Sequence, residues 1–259
     1  MVTALRGLGE SAPRSLTARV LAQVGIGDSY AEIPGPIGPL LVAWGPAGIT
    51  SVERAGDEMG FELSYSLQFG RPLTRVDAMP ERLRRQIDGR LEGDKVDGPA
   101  VDLSHLTDFE RAVLHKTMEI PRGEVRPYAW IASEIGRPRA VRAVGSALAN
   151  NPIPFVIPCH RVVRTDGHIG EYGAGGPAAK REVLAVEGVD ADELERLAGA
   201  GIRYFGSDTT KIFCYPSCRH ARRTMPKHLV RFRSGEGARA SGYRACKVCR
   251  PLAVSPFAA

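Results

Sequence analysis

The last fifty residues constrain this chain most. Cys214-x3-Cys218 and Cys246-x2-Cys249 place four thiols in two closely spaced pairs, within a segment too short to bury an adequate core alone. Paired short spacings of this kind match tetrahedral zinc held by thiolates, and folding of such a module is coupled to the metal. One Zn2+ bound by Cys214, Cys218, Cys246 and Cys249 is therefore expected. The fifth cysteine, Cys159, stands apart in Ile157-Pro158-Cys159-His160-Arg161-Val162-Val163. Metal-type spacing rather than a disulfide framework favours a reducing compartment, so a cytoplasmic protein is expected. No apolar run of signal-peptide length opens the chain, and the uncharged stretch from Ile33 to Val52 is broken by Pro34, Pro36, Pro39 and Pro46. A strand, a turn and a second strand fit that stretch better than a membrane span.

Charge is unevenly placed. The net charge is +6, yet from Ser207 to Ala259 eleven Lys or Arg face only Asp208 and Glu236. Four zinc-bound thiolates would subtract about two charges and leave the module strongly basic. A field of that sign attracts polyanions, nucleic acid first among them, although a merely solvated basic surface has the same composition.

The segment up to about residue 100 reads as mixed strand and helix, with a helix near Leu16 to Val24 and a charged helix around Pro80 to Leu91, followed by a linker at Gly93 to Gly98. Thr107-Asp108-Phe109-Glu110 is a capping box opening an amphipathic helix through about Met118. Tyr128 to Ile135, closed by Gly136, and Pro138 to Ala149 form two helices joined by a tight turn, a helix-turn-helix pattern that DNA-binding domains share with many helical cores. Between residues 122 and 164, Arg122, Arg126, Arg137, Arg139, Arg142, Arg161 and Arg164 are opposed only by Glu124 and Glu134, which favours the DNA-binding alternative. Gly145 inside the second helix costs about 1 kcal/mol relative to Ala. Either tight helix packing or close approach of a bound partner would account for it.

Pro152 to Pro158 cannot be helical and is expected to be a buried extended segment delivering Cys159 to a cleft. Val162-Val163, the turn Thr165-Asp166-Gly167 and Ile169 resemble a hairpin, and a helix is expected over about Ala178 to Ala185. A thiol with an ordinary pKa is only slightly ionised at neutral pH, so a reactive Cys159 requires a base or local positive charge. His160 and Arg161 offer both. Neighbours in an extended chain point to opposite sides, so His160 is expected to act through a water and to need an orienting acid. A buried structural cysteine beside a structural histidine is the alternative.

Gly123-Glu124-Val125…Tyr128, Arg142-Ala143-Val144-Gly145, Asn151-Pro152-Ile153-Pro154 and the Cys159 segment together resemble the O6-alkylguanine-DNA alkyltransferases. The resemblance spans about Phe109 to Gly188. It implies that Cys159 accepts the alkyl group irreversibly, that His160 takes the thiol proton through water, that Glu187 orients His160, that Asn151 braces the site, and that Tyr128 protonates the departing guanine oxygen; residence in the helix core is the alternative for Tyr128. It further implies base flipping, with Arg142 filling the vacated stack from a recognition helix in the minor groove, where Gly145 permits close contact. Arg139, Arg161 and Tyr172 are expected among the DNA contacts. The loop Gly173 to Ala179 is one residue longer than the family pattern, which leaves the accepted alkyl sizes open.

Phe213-Cys214-Tyr215-Pro216-Ser217-Cys218-Arg219 and Gly242 to Pro251 resemble the zinc domain of the adaptive-response protein Ada. In that family the first cysteine of the C-x-P-x-C segment is both ligand and methyl acceptor, which implies that Cys214 takes methyl groups from backbone methylphosphotriesters. Here the module follows the alkyltransferase segment and only ten residues lie beyond Cys249, so the AraC-type helix-turn-helix that accompanies it in Ada is not expected. The fold class implied is an α/β N-terminal domain (1–100), a mainly α helix-turn-helix alkyltransferase domain (101–200) and a small α+β zinc-binding domain (206–259). The expected activity is that of a suicide methylated-DNA–protein-cysteine methyltransferase. It would act as a monomer on double-stranded DNA carrying alkylated bases or phosphates. The alternative is a sensor in which methylation of Cys214 raises DNA affinity.

Overall fold

Buried and exposed positions alternate poorly along β1 (Asp28–Ile33), β2 (Leu40–Gly45) and β3 (Gly48–Arg54), because most of their side chains are covered. The computed structural model describes residues 20, 24, 26–93 and 98–252. Among the described residues, those up to Ile87 with 98–105 form one compact unit, and 88–93 with 106–252 form another.

In the first unit β2 and β3 make an antiparallel hairpin, and β1 ends at Ile33, so the strand, turn and strand expected between Ile33 and Val52 occupy Leu40 to Arg54. The turn needs Gly48, whose φ is +130° and whose added Cβ would lie 2.4 Å from the Ala100 carbonyl oxygen. Helix α1 (Glu58–Phe69), capped by Asp57 accepting from the Gly60 N–H at 2.9 Å, crosses over to β4 (Leu73–Arg75). β4 pairs parallel to β1, giving the order β3-β2-β1-β4. Tyr30, Leu41, Ala43, Phe61, Tyr65 and Leu73 fill the space between this sheet and α1. The helix expected at Leu16 to Val24 lies outside the described residues apart from Val20 and Val24, and the linker core 94–97 lies outside them too. The charged helix is present as α2 (Glu81–Glu92).

The second unit begins its helical core with α3 (Asp108–Met118), where Thr107 and Glu110 close the expected capping box in both directions. α4 (Tyr128–Glu134) and α5 (Val141–Ala149) form the helix-turn-helix pair about Gly136, whose φ of +71° ends the first helix. Helix α5 starts three residues later than the proline-based reading, because Ala140 N–H closes a turn on the Arg137 carbonyl.

Two local expectations are corrected. Pro152 to Pro158 is buried but not extended: Phe155 takes a φ of +70°, Val156 N–H bonds the Pro154 carbonyl, and Cys159 opens a 3-10 turn over Cys159–Arg161. The bend is held where the Phe155 ring meets Tyr172 edge-on at 6.3 Å. Val162–Val163 (β6) does not form a hairpin with Ile169. It pairs parallel with Arg126–Pro127 (β5), while the following turn is closed by the Arg164 N–H to the His168 carbonyl and the Gly167 N–H to the Arg164 carbonyl.

Helices α6 (Gly176–Val186) and α7 (Ala191–Gly199) follow. The cysteine-rich tail is a sheet in the order β10-β8-β7-β9. Its strands are β7 (Tyr204–Ser207), β8 (Ile212–Cys214), β9 (Leu229–Phe232) and β10 (Arg244–Ala245), with short helices α8 (Arg219–Arg222) and α9 (Gly235–Ala240).

Candidate active site and metal centre

Cys159 is 7% exposed at the start of its turn. It borders a cavity of about 80 Å3 lined also by Tyr128, Gly145, Leu148, Ala149, Glu171, Tyr172 and Gly173. The nucleophile candidate thus faces both helices of the helix-turn-helix. Asn151 Nδ2 donates to Cys159 Sγ at 3.1 Å and to the Ile157 carbonyl at 3.0 Å, while its Oδ1 accepts from Ile153 N–H at 3.1 Å. One amide therefore fixes both the sulfur and the loop that carries it.

Behind the sulfur lies a buried charge network. His160 Nε2 sits 3.0 Å from Glu187 Oε1, and Arg161 donates to both Glu187 oxygens at 2.7–3.2 Å and to the Ile120 carbonyl at 2.7 Å. Although burial alone would raise it, Glu187 is held down to about 2 by hydrogen bonds from His160 and Arg161 and by their charges. Burial lowers His160, so its imidazole is neutral at neutral pH. A neutral ring that donates from Nε2 to a carboxylate carries its lone pair on Nδ1. That atom is buried and bonds to none of the described residues. Burial also pushes the Cys159 thiol up, against the opposing effects of the Asn151 hydrogen bond and the Lys180 charge. The resting sulfur is a protonated thiol beside a proton acceptor. Tyr128 is raised by burial and by Cys159, so its phenol keeps its proton.

Arg161, expected at the DNA surface, is only 3% exposed and fully engaged with Glu187, so that reading is corrected. Its guanidinium holds the same carboxylate that meets His160 Nε2. Tyr172 likewise lies in the cavity wall, 7% exposed, with its ring edge-on to His160 at 6.2 Å. Arg139 and Arg142 are exposed at the start of α5, and neither pairs with an acid among the described residues. An added Cβ at Gly145 would meet nothing within 4 Å, so helix packing does not explain this glycine. The sequence reading missed Lys180, a fully buried ammonium that donates to the carbonyls of Val162, Ile169 and Glu171 at 2.6–3.1 Å. Burial lowers it to about 8. Only its position on the inward face of α6, beside Ala179, Val183 and Leu184, could have pointed to it.

The ligand atoms of Cys214, Cys218, Cys246 and Cys249 all lie within 4.8 Å of one another. A tetrahedron with zinc–sulfur bonds of about 2.3 Å has edges of about 3.8 Å, so the donor set fits one zinc ion after small adjustment. Cys218 and Cys249 are wholly buried, whereas Cys214 and Cys246 border a groove of about 480 Å3 with Arg223, Arg244, Lys247, His220 and His228 along it.

Two family models match this chain: 6-O-methylguanine DNA methyltransferase, DNA binding domain, over residues 108–189, and metal binding domain of Ada, over residues 197–251. A methylated-DNA–protein-cysteine methyltransferase of Mycobacterium tuberculosis is 37% identical over 158 residues, which cover 61% of this chain and 91% of that protein. Its counterpart in Methanosarcina barkeri is 36% identical over 149 residues, covering 56% of this chain and 89% of that protein. The chain belongs to the methylated-DNA–protein-cysteine methyltransferase family. Against the mouse member the match is 50% identical but spans 82 residues, only 39% of that protein. A crystal structure of Mycobacterium tuberculosis OGT in complex with DNA superposes with a TM-score of 0.51 at 32% identity, covering 64% of this chain and 98% of that one. The family match ends before the cysteine-rich tail, which is similar to the metal-binding domain of Ada and carries the four-cysteine cluster such a domain needs. Among the described residues no helix is long and apolar enough to cross a membrane.

Proposed function

We propose that this protein repairs alkylated DNA directly, taking the alkyl group of O6-alkylguanine onto Cys159 and methyl groups of backbone phosphotriesters onto Cys214. The observation that carries the first step is a buried thiol fixed by Asn151, with neutral His160 and ionised Glu187 stacked behind it. Sγ attacks the alkyl carbon, the carbon–O6 bond breaks, and the sulfur becomes a thioether. The thiol proton passes to His160 Nδ1 through an intervening water, because none of the described residues bonds that atom. Tyr128 supplies a proton to the departing guanine and regains one from the pool that His160 has filled, so atoms and charge balance. The thioether has no route back to a thiol, and each molecule acts once.

Flipping the base into the cavity costs a few kcal/mol. Exposed Arg142 on α5 and Arg139 in the turn before it, together with the open surface over Gly145, support a recognition helix laid against DNA. Gly145→Ala is accordingly expected to stabilise the isolated protein by about 1 kcal/mol in urea unfolding, because helix propensity improves and nothing is crowded. The same change is expected to weaken binding to an alkylated duplex several-fold, since the methyl group would stand on the DNA-facing surface. Equal affinity for the duplex would remove Gly145 from the interface.

The second acceptor rests on the groove beside Cys214. A bound zinc would keep all four cysteines deprotonated and electron-rich at neutral pH. The chain's own part is to set Cys214 and Cys246, rather than Cys218 or Cys249, in the wall of this groove and to line the approach with cations that attract a phosphate backbone. Methyl transfer to Cys214 removes one negative charge from this surface, which tightens its hold on DNA. The experiment is transfer of labelled methyl from duplexes carrying only phosphotriesters to wild type, Cys214→Ala and Cys159→Ala. Label on wild type and on Cys159→Ala, with none on Cys214→Ala, is the expected result. Label retained by Cys214→Ala would sink the assignment.

A further inference from the structure

The two wholly buried zinc-site cysteines are each followed by a residue held by an acid of the alkyltransferase fold. After Cys218, the Arg219 N–H donates to Glu124 Oε1 at 3.0 Å. After Cys249, Arg250 adopts a φ of +46° and its guanidinium binds Glu134 at 2.7 Å on α4. Between them, Ser217 Oγ accepts from Val125 N–H at 2.9 Å. Arg126 completes the junction. It is 2% exposed, paired with Glu124, and its guanidinium lies 5.5 Å from the centre of the Tyr215 ring, inside the loop joining Cys214 to Cys218.

Glu124 and Arg126 have no part in the alkyl-transfer site described above. A fully buried glutamate with a fully buried arginine is costly to desolvate, and replacing such a pair by apolar residues is often neutral or stabilising. The Arg126 Nε–H is buried and bonds to none of the described residues. A tetrathiolate zinc centre carries two net negative charges in the same interior. The Arg126 guanidinium lies against the Tyr215 ring, within the Cys214–Cys218 loop, and does not line the groove that Cys214 and Cys246 border.

We infer that Glu124 and Arg126 of the alkyltransferase fold form the outer shell of the zinc site, Arg126 as a counter-charge to the thiolates and Glu124 as the group that fixes Arg126 and the Cys218 turn. They are positioning residues. This rests on the zinc reading of the four cysteines but adds that half of the ligand set is oriented from outside the zinc module. It also ties the two acceptor sites together mechanically. β5, which carries Arg126, leads directly into Tyr128 and is hydrogen-bonded to β6, the strand that follows the Cys159 turn.

The test uses the full-length protein and competition for Zn2+ against a chromophoric chelator. Outer-shell partners of metal ligands are worth about 10–100-fold in affinity. The double variant Glu124→Gln with Arg126→Met removes the charge pair without stranding a buried carboxylate, and a 10–100-fold weaker zinc affinity is expected. Arg126→Lys keeps the positive charge and is expected to stay within about threefold of wild type, well below that span. In the Co2+-substituted proteins the thiolate-to-metal absorption of the double variant is expected to shift, while that of Arg126→Lys matches wild type. Wild-type affinity and spectrum in the double variant would overturn the inference. So would an Arg126→Lys protein as weak as the double variant, since packing and not charge would then explain the loss. Wild-type protein that takes up no zinc at all would overturn both this inference and the metal reading beneath it.

Discussion

Glu187→Gln is expected to destabilise the protein by about 3–5 kcal/mol and to slow alkyl transfer by roughly 100-fold or more. Glu187 is 91% buried by its 9% exposure and is the common partner of His160 and Arg161. Neutralising it leaves the Arg161 guanidinium in the interior without a counter-charge, the most expensive way to break a buried pair. It also removes the acceptor that keeps the His160 proton on Nε2 and the lone pair on Nδ1. The pH dependence gives a second measure of the same energy. The folded carboxyl lies at about 2 against an ordinary value of 4.5. Its stabilising effect is therefore fully present above about 4.5, and is lost as pH falls from there through about 2. That gap corresponds to about 3 kcal/mol, of the size expected for breaking the pair. Urea midpoints followed from neutral pH towards pH 2 should fall for wild type and stay flatter for Glu187→Gln. Parallel curves would place the charge network outside the stability of the fold.

Cys159→Ala is expected to abolish uptake of the O6-alkyl group while leaving methyl uptake at the zinc module untouched. The four other cysteines are committed to one cluster, so no second thiol can substitute at the helix-turn-helix cavity. The fold should survive, because the Asn151 amide keeps its bonds to the Ile157 carbonyl and the Ile153 N–H when the sulfur is gone. Circular dichroism and duplex affinity of the variant should match wild type with label transfer from O6-methylguanine absent. Residual transfer at the wild-type rate would mean that another atom is the acceptor.

Much of this site was legible in the sequence where chemistry is tied to a short run of residues. The capping box of α3 and the paired cysteines stand where motif and spacing put them, and Asn151, His160 and Glu187, singled out by the family resemblance, lie in one hydrogen-bonded group about the Cys159 turn. What failed were the expectations that treated segments as isolated. The run Pro152 to Pro158 reads as extended from its prolines, yet burial against Tyr172 bends it at Phe155. Val162–Val163 reads as half a hairpin, yet its partner is Arg126–Pro127, far away in the chain. Arg161 reads as a surface cation among seven arginines. Only the fold reveals that a buried carboxylate claims it. Lys180 gave no signal beyond its place on the inward face of α6, because a lysine is ordinary on a helix and its three carbonyl partners come from β6 and the loop after it. Long-range pairing decided each of these outcomes.

The most direct measurement is peptide mapping by mass spectrometry after titration with a duplex holding a single O6-methylguanine. One methyl group on the peptide containing Cys159 is expected, saturating at one equivalent of lesion per protein, with guanine restored in the DNA. Repair of many equivalents per protein, or loss of the lesion with Cys159 unmodified, would contradict it.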